Sequence, residues 1–192
     1  MNKKFLAAAL ATSFVLAGSA TAGTEGGQIN IGGLVTTGTC AMVINNQKGY
    51  DYNVMLKTVT VADVQAVERS AINGENKQID MKLDCSGTSV EVASATMTFD
   101  SMFNNTSQGT LSNIETAQAA KNVDIALHNI ADNGTAELVK IGDSSSVFAG
   151  KTSADKKSVT WTYKASYVTN GTTDAVTAGH VKANTSYIIT YQ

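Results

Sequence analysis

Val159-Thr160-Trp161-Thr162-Tyr163-Lys164-Ala165-Ser166-Tyr167 alternates strictly between apolar or aromatic side chains and more polar ones. In an extended chain a period of two puts every second residue on the same side, so this stretch reads as a β-strand with one face turned into a core. The period returns at the end of the chain in Tyr187, Ile189 and Tyr191. It is present earlier in four further segments: Ile29, Ile31, Gly33 and Val35; Ile79, Met81, Leu83 and Cys85; Ala93, Ala95, Met97 and Phe99; and Val123, Ile125 and Leu127. Six or more such strands predict an all-β sandwich.

Asn73-Gly74, Asn133-Gly134 and Asn170-Gly171 punctuate the pattern with residues that tolerate positive φ, as tight turns require. Ala62 to Ile72 and Ile114 to Lys121 carry alanine and long polar side chains where β-branched residues thin out, and they predict short helices on connections. Proline is absent, so no strand edge is blunted by one.

Lys3 and Lys4, the apolar run from Phe5 to Ala17 and the small residues Ala20-Thr21-Ala22 have the layout of a cleavable secretory signal. The apolar run is shorter than the ~20 residues of a membrane span. Cleavage after Ala22 leaves a chain of one-domain size that is expected to be exported and soluble. Net charge is −2, Arg69 is the only arginine and the lysines are scattered, so the footprint of a nucleic-acid binder is missing. Cys40 and Cys85 are the only cysteines, and an exported chain is expected to oxidise them to one bridge. Closing that loop stabilises by roughly 4 kcal/mol in the chain-entropy view.

A catalytic or metal-binding reading finds little to stand on. His128 and His180 are the only histidines, one on the outward face of a strand and the other in a turn after Gly179. Asp80, Asp84 and Asp124 fall on polar strand faces, where charge belongs. No nucleophile, base or metal ligands are grouped, so neither enzyme activity nor a cofactor is expected. The Asn-x-Ser/Thr triplets at Asn104, Asn133 and Asn184 read as polar surface in a chain rich in these residues. Trp161, Tyr163 and Tyr167 could stack on a sugar, but their alternation favours a core face.

The two ends carry a more specific pattern. Gly26-Gly27-Gln28-Ile29-Asn30-Ile31-Gly32-Gly33-Leu34-Val35 combines a glycine pair, alternating apolar residues, a glycine seven places before Cys40 and an apolar residue two after that glycine. The C-terminus has a penultimate tyrosine, Tyr191, on an alternating strand and Gly179 fourteen places from the end. In these features the chain resembles type 1-like pilus subunits of the chaperone-usher pathway. Val54-Met55-Leu56-Lys57-Thr58-Val59 is similar to a Val-x-Leu-Gly-x-Val segment of that family, with Lys57 in place of its glycine.

The resemblance implies an incomplete immunoglobulin-like β-sandwich completed by donor-strand exchange. It divides the chain into a signal peptide (1–22), a donor-strand extension (23–37) and a pilin domain (38–192). It makes Ile29, Ile31, Gly33 and Val35 the donor residues, and puts Gly179, Tyr187, Ile189, Tyr191 and Gln192 at the acceptor groove and chaperone-binding edge. The implied partners are further copies or other pilus subunits, a periplasmic chaperone and an outer-membrane usher, with a cell-surface fimbria supporting adhesion as the destination. A host glycan or protein receptor on this subunit, through the stretch between the cysteines or the Asn104 to Gly109 loop, stays open. The alternative expectation is a secreted, self-contained sugar-binding sandwich or an adhesive subunit.

Overall fold

The computed structural model describes residues 40–192. The expected signal peptide, and the expected donor residues Ile29, Ile31, Gly33 and Val35, lie outside the described residues.

The strands are β1 (Ala41–Ile44), β2 (Gln47–Lys48), β3 (Lys77–Asp84), β4 (Ala95–Asp100), β5 (Asn104–Asn105), β6 (Thr110–Ser112), β7 (Val123–Ile130), β8 (Ala136–Leu138), β9 (Phe148–Ala149), β10 (Lys151–Thr152), β11 (Ser158–Thr169) and β12 (Ser186–Tyr191). Among the described residues one short helix, α1 (Val61–Gln65), joins them. The larger sheet runs β2-β1-β3-β11-β7-β6-β5, with β10 beside β11 and β8 beside β7, and the smaller runs β12-β4-β9. All strand pairs within the two sheets are antiparallel.

The quoted alternation is the central strand, β11, which pairs β3 along one side (Trp161 opposite Met81, Tyr163 opposite Ile79) and β7 along the other (Tyr167 opposite Ile125). Its Val159, Trp161, Tyr163 and Ala165 meet Ala95, Met97 and Phe99 of β4 and Phe148 of β9 in one core. Phe99 and Phe148 each present an edge-on ring to Tyr163, at centroid distances of 5.0 and 6.3 Å. Trp161 donates its indole N–H to the Phe148 carbonyl at 3.1 Å, so its one polar atom is satisfied. Trp161 and Tyr163 are therefore core residues, as their alternation predicts, and offer no surface on which a sugar could stack.

Gly150 sits where the chain passes from β9 in one sheet to β10 in the other. A Cβ there would collide with Val159 and Trp161, so a side chain at this position would prise the sheets apart. Cys40 and Cys85 are joined, clamping the end of the β1–β3 ladder beside the Ala41–Asp84 pair.

Three expectations need correction. Of the two expected helices, only the first forms, and only over α1, where Thr60 and Asp63 make a reciprocal capping box; residues 114–121 contain no helix, and Gln118 there has positive φ. Asn133-Gly134 does turn the β7–β8 hairpin, with Gly134 at φ 83, whereas Gly74 has no positive φ and Asn73 is a buried residue whose side-chain oxygen accepts from Glu75 N–H. His128 and Asp124, read as outward and polar, are both buried. Residues on either side of Arg69 cross that outward face: Val67 accepts from Thr169 N–H, Arg69 from the His128 Nε2 at 3.0 Å, and Asn73 N–H reaches the Ser166 hydroxyl. Asp124 is satisfied by Thr110 and Asn105, at 2.5 and 2.9 Å. Strand alternation reveals which face a residue is on, but not whether another segment covers that face.

Candidate functional site

Followed toward the C-terminal end of β11, the core is not closed by the described residues. Met81 and Leu83 of β3 and Val159 and Trp161 of β11 are each at most 4% exposed, yet Ile79, Ile125 and Tyr167, on the same inward faces of the three central strands, are only half-buried. They form the floor of a groove of about 980 Å³.

Two extended segments make its walls. One is residues 50–56, in which Tyr52, Val54 and Leu56 turn inward and are half-buried while Asp51, Asn53 and Met55 are exposed. The other is residues 181–187, leading into β12, with Val181, Ala183 and Tyr187 half-buried in the same alternating way. Both walls thus have the patterning of sheet strands. The first belongs to no sheet: among the described residues, 51–59 make no backbone–backbone hydrogen bond. Among the described residues, β12 pairs with β4 on one side only. Two facing edges above an apolar floor thus carry, among the described residues, backbone N–H and C=O groups without a ladder partner.

Lys57, in the place of the family's glycine, is exposed and pairs with Glu75 at 2.7 Å, in a segment with no left-handed residue. One end of the groove meets a satellite cluster in which Val64, Ala120, Val123 and Val176 pack with Val59, Tyr167 and Val181. Elsewhere the walls are tied by the Tyr187 hydroxyl, which donates to the Tyr50 carbonyl at 2.7 Å. Burial, with Asp51 adding repulsion, raises the Tyr187 pKa and keeps that hydroxyl a donor. Burial likewise holds Tyr163 neutral.

The five residues expected at this edge are not all together. Tyr187 lines the groove and stacks obliquely on Phe99 at 6.4 Å. Ile189 lies two residues on, half-buried against the main core, and Tyr191, two further, is 38% exposed. Gln192 closes the ladder, its N–H donating to Ser94 and its main-chain oxygen accepting from Ala93 and Ser94. Gly179 packs its backbone on Ala119 and Ala120, where a Cβ would collide with both; it positions the wall segment without lining the groove. The floor residues Ile79, Ile125 and Tyr167 were not nominated from sequence. Their apolar alternation is the same whether a second layer covers them or not.

Among the described residues no group of histidine, cysteine or carboxylate side chains could hold a metal ion, and no helix is long and apolar enough to cross a membrane.

The fold is an immunoglobulin-like β-sandwich with an open apolar groove at one end. The chain belongs to the fimbrial protein family, which matches residues 29–192. Among solved structures it is similar to the P pilus rod subunit PapA, with TM-score 0.54 and 15% identity over 80% of this chain and 99% of that one. It is also similar to the CupB6 tip adhesin from Pseudomonas aeruginosa, with TM-score 0.54 and 17% identity over 79% of this chain, which spans only 38% of the adhesin. At these identities the likeness establishes the fold. A search of curated proteins finds no match. The family is one of structural pilus subunits, which polymerise with other subunits and reach a cell-surface pilus through the periplasm.

Proposed function

We propose that this chain is a structural fimbrial subunit that polymerises by lending residues 29–35 to the groove of the next copy. The observation that carries the reading is the pair of half-buried walls, Tyr52-Val54-Leu56 and Val181-Ala183-Tyr187, with edges unpaired among the described residues over a half-buried floor. A strand laid between them would restore both ladders and cover Ile79, Ile125 and Tyr167. The N-terminal segment has the right chemistry: Ile29, Ile31 and Val35 share one face, at a pitch of ~6.6 Å per residue pair. Gly33, on the same face, lets the backbones approach closely where a side chain would not fit. Burying three such side chains contributes on the order of 5 to 9 kcal/mol before ordering costs.

An exposed apolar groove is an aggregation hazard during export. This favours a periplasmic chaperone that occupies it first, with Tyr187, Ile189, Tyr191 and Gln192 along the contacted edge, and an outer-membrane usher at which the exchange takes place. Surface adhesion is the function such a fibre would serve. The self-contained sugar-binding sandwich loses its motivation with Trp161 and Tyr163 in the core.

Deletion of residues 23–35 tests the reading. The truncated chain should be secreted and folded with its chaperone yet add no further subunit, and boiling-sensitive ladders on denaturing gels should disappear. Ladders of normal length from that deletion would refute it.

A further inference from the structure

A second depression, of about 570 Å³, has the opposite chemistry to the groove. Arg69, Gln108, Lys140 and Asp143 line it together with the hydroxyls of Thr106 and Ser144. Arg69, the chain's only arginine, is held there from both ends. Its carbonyl accepts the bond from His128, and its Nη1 donates to the Ser107 carbonyl and to Gln108 Oε1, each at 2.8 Å. A guanidinium has five N–H donors, so Nε and Nη2 are left with no partner among the described residues. No carboxylate pairs with Arg69 or Lys140 among the described residues. The one acid in the lining, Asp143, already accepts from Ser145 N–H and Oγ at 2.9 and 2.7 Å through a single oxygen.

Arg69, with no carboxylate partner, and Lys140, whose charge is felt by the neighbouring Asp143, thus share the depression with hydroxyl and amide groups. A guanidinium fixed in its plane matches a carboxylate or sulfate group with two parallel hydrogen bonds, and a cleft of this volume admits one or two sugar rings. We propose that the cleft binds an anionic saccharide, with its carboxylate or sulfate ester on Arg69, Lys140 as the second cation, and Gln108, Thr106 and Ser144 meeting the sugar hydroxyls. The site is independent of the groove, so a chain that failed to polymerise would still bind.

Calorimetric titration of the purified full chain with N-acetylneuraminyl-lactose, sulfated lactose and neutral lactose is the test. At least one acidic probe should bind, at least about tenfold more tightly than lactose, and weaken as salt is raised. Which acidic probe binds identifies carboxylate or sulfate as the natural group. Arg69→Gln should weaken binding about tenfold or more and Lys140→Gln about threefold, with melting temperatures unchanged; Arg69→Lys, keeping charge but not the fork, should fall between. If Arg69→Gln fails to fold, Lys140→Gln and the salt dependence decide. Binding of lactose as tight as that of the acidic probes, loss of none of the affinity in the variants, or no binding by either acid would overturn the proposal.

Discussion

The two ends of β3 and β11 have the same sequence pattern and opposite fates. At one end Met81, Leu83, Val159 and Trp161 are sealed beneath β4 and β9, with the Cys40–Cys85 bridge and the Gly150 crossing fixing the sheets together. At the other, Ile79, Ile125 and Tyr167 point the same way into a groove whose walls, among the described residues, have no strand between them. The sealed half holds the molecule together, and the open half leaves apolar surface and backbone groups that only another segment can satisfy. An isolated subunit should therefore be marginal in a way that its composition does not suggest.

Substitutions can break this contrast. Replacing both cysteines by serine should cost the most, about 4 kcal/mol for the 45-residue separation, read as a fall in the urea midpoint. Met97→Ala, at a position with no exposure, should cost roughly 2 to 5 kcal/mol whether or not the groove is filled. Ile125→Ala, half-buried on the groove floor, should cost only about 1 kcal/mol in a subunit with no donor, and more once a donor strand is bound. Equal costs for these two variants in the donor-free chain would erase the distinction between the halves.

The smallest effect concerns His128, whose pKa is lowered by burial, the bond to the Arg69 carbonyl recovering only part of the shift. In the unfolded chain imidazole titrates near ~6.5. As pH falls through that value the unfolded state takes up a proton before the folded one, so stability present at neutral pH is lost toward acid. Denaturation midpoints should fall between pH 7 and 5 in the native chain, and less steeply in His128→Gln. Parallel slopes in the two chains would show that His128 contributes nothing there.

The main strands could be read in the sequence because each buries one face, so that β3, β4, β7, β11 and β12 all fall on predicted alternations. The Cys40–Cys85 pairing was legible because the chain has no other cysteine. The burial of Asp124 and His128 was not legible, since it depends on the Arg69 carbonyl 59 residues away for His128 and on the Asn105 amide for Asp124. The groove was half legible. Its β12 edge, and the 54–59 segment that overlaps the 50–56 wall, stand out in the sequence, but the floor is hidden because Ile79, Ile125 and Tyr167 would look identical in a closed core. Neither was it evident that Arg69 would be anchored by His128, because nothing in the spacing links the two.

Hydrogen exchange on the chain lacking residues 23–35, with and without a synthetic peptide of residues 25–37, tests the groove most directly. Without peptide, amides of residues 52–58 should exchange far faster than those of β4 and β11; with it they should be protected, along with the outer edge of β12. Full protection of 52–58 before any peptide is added, or peptide binding that leaves them unprotected, would contradict the account.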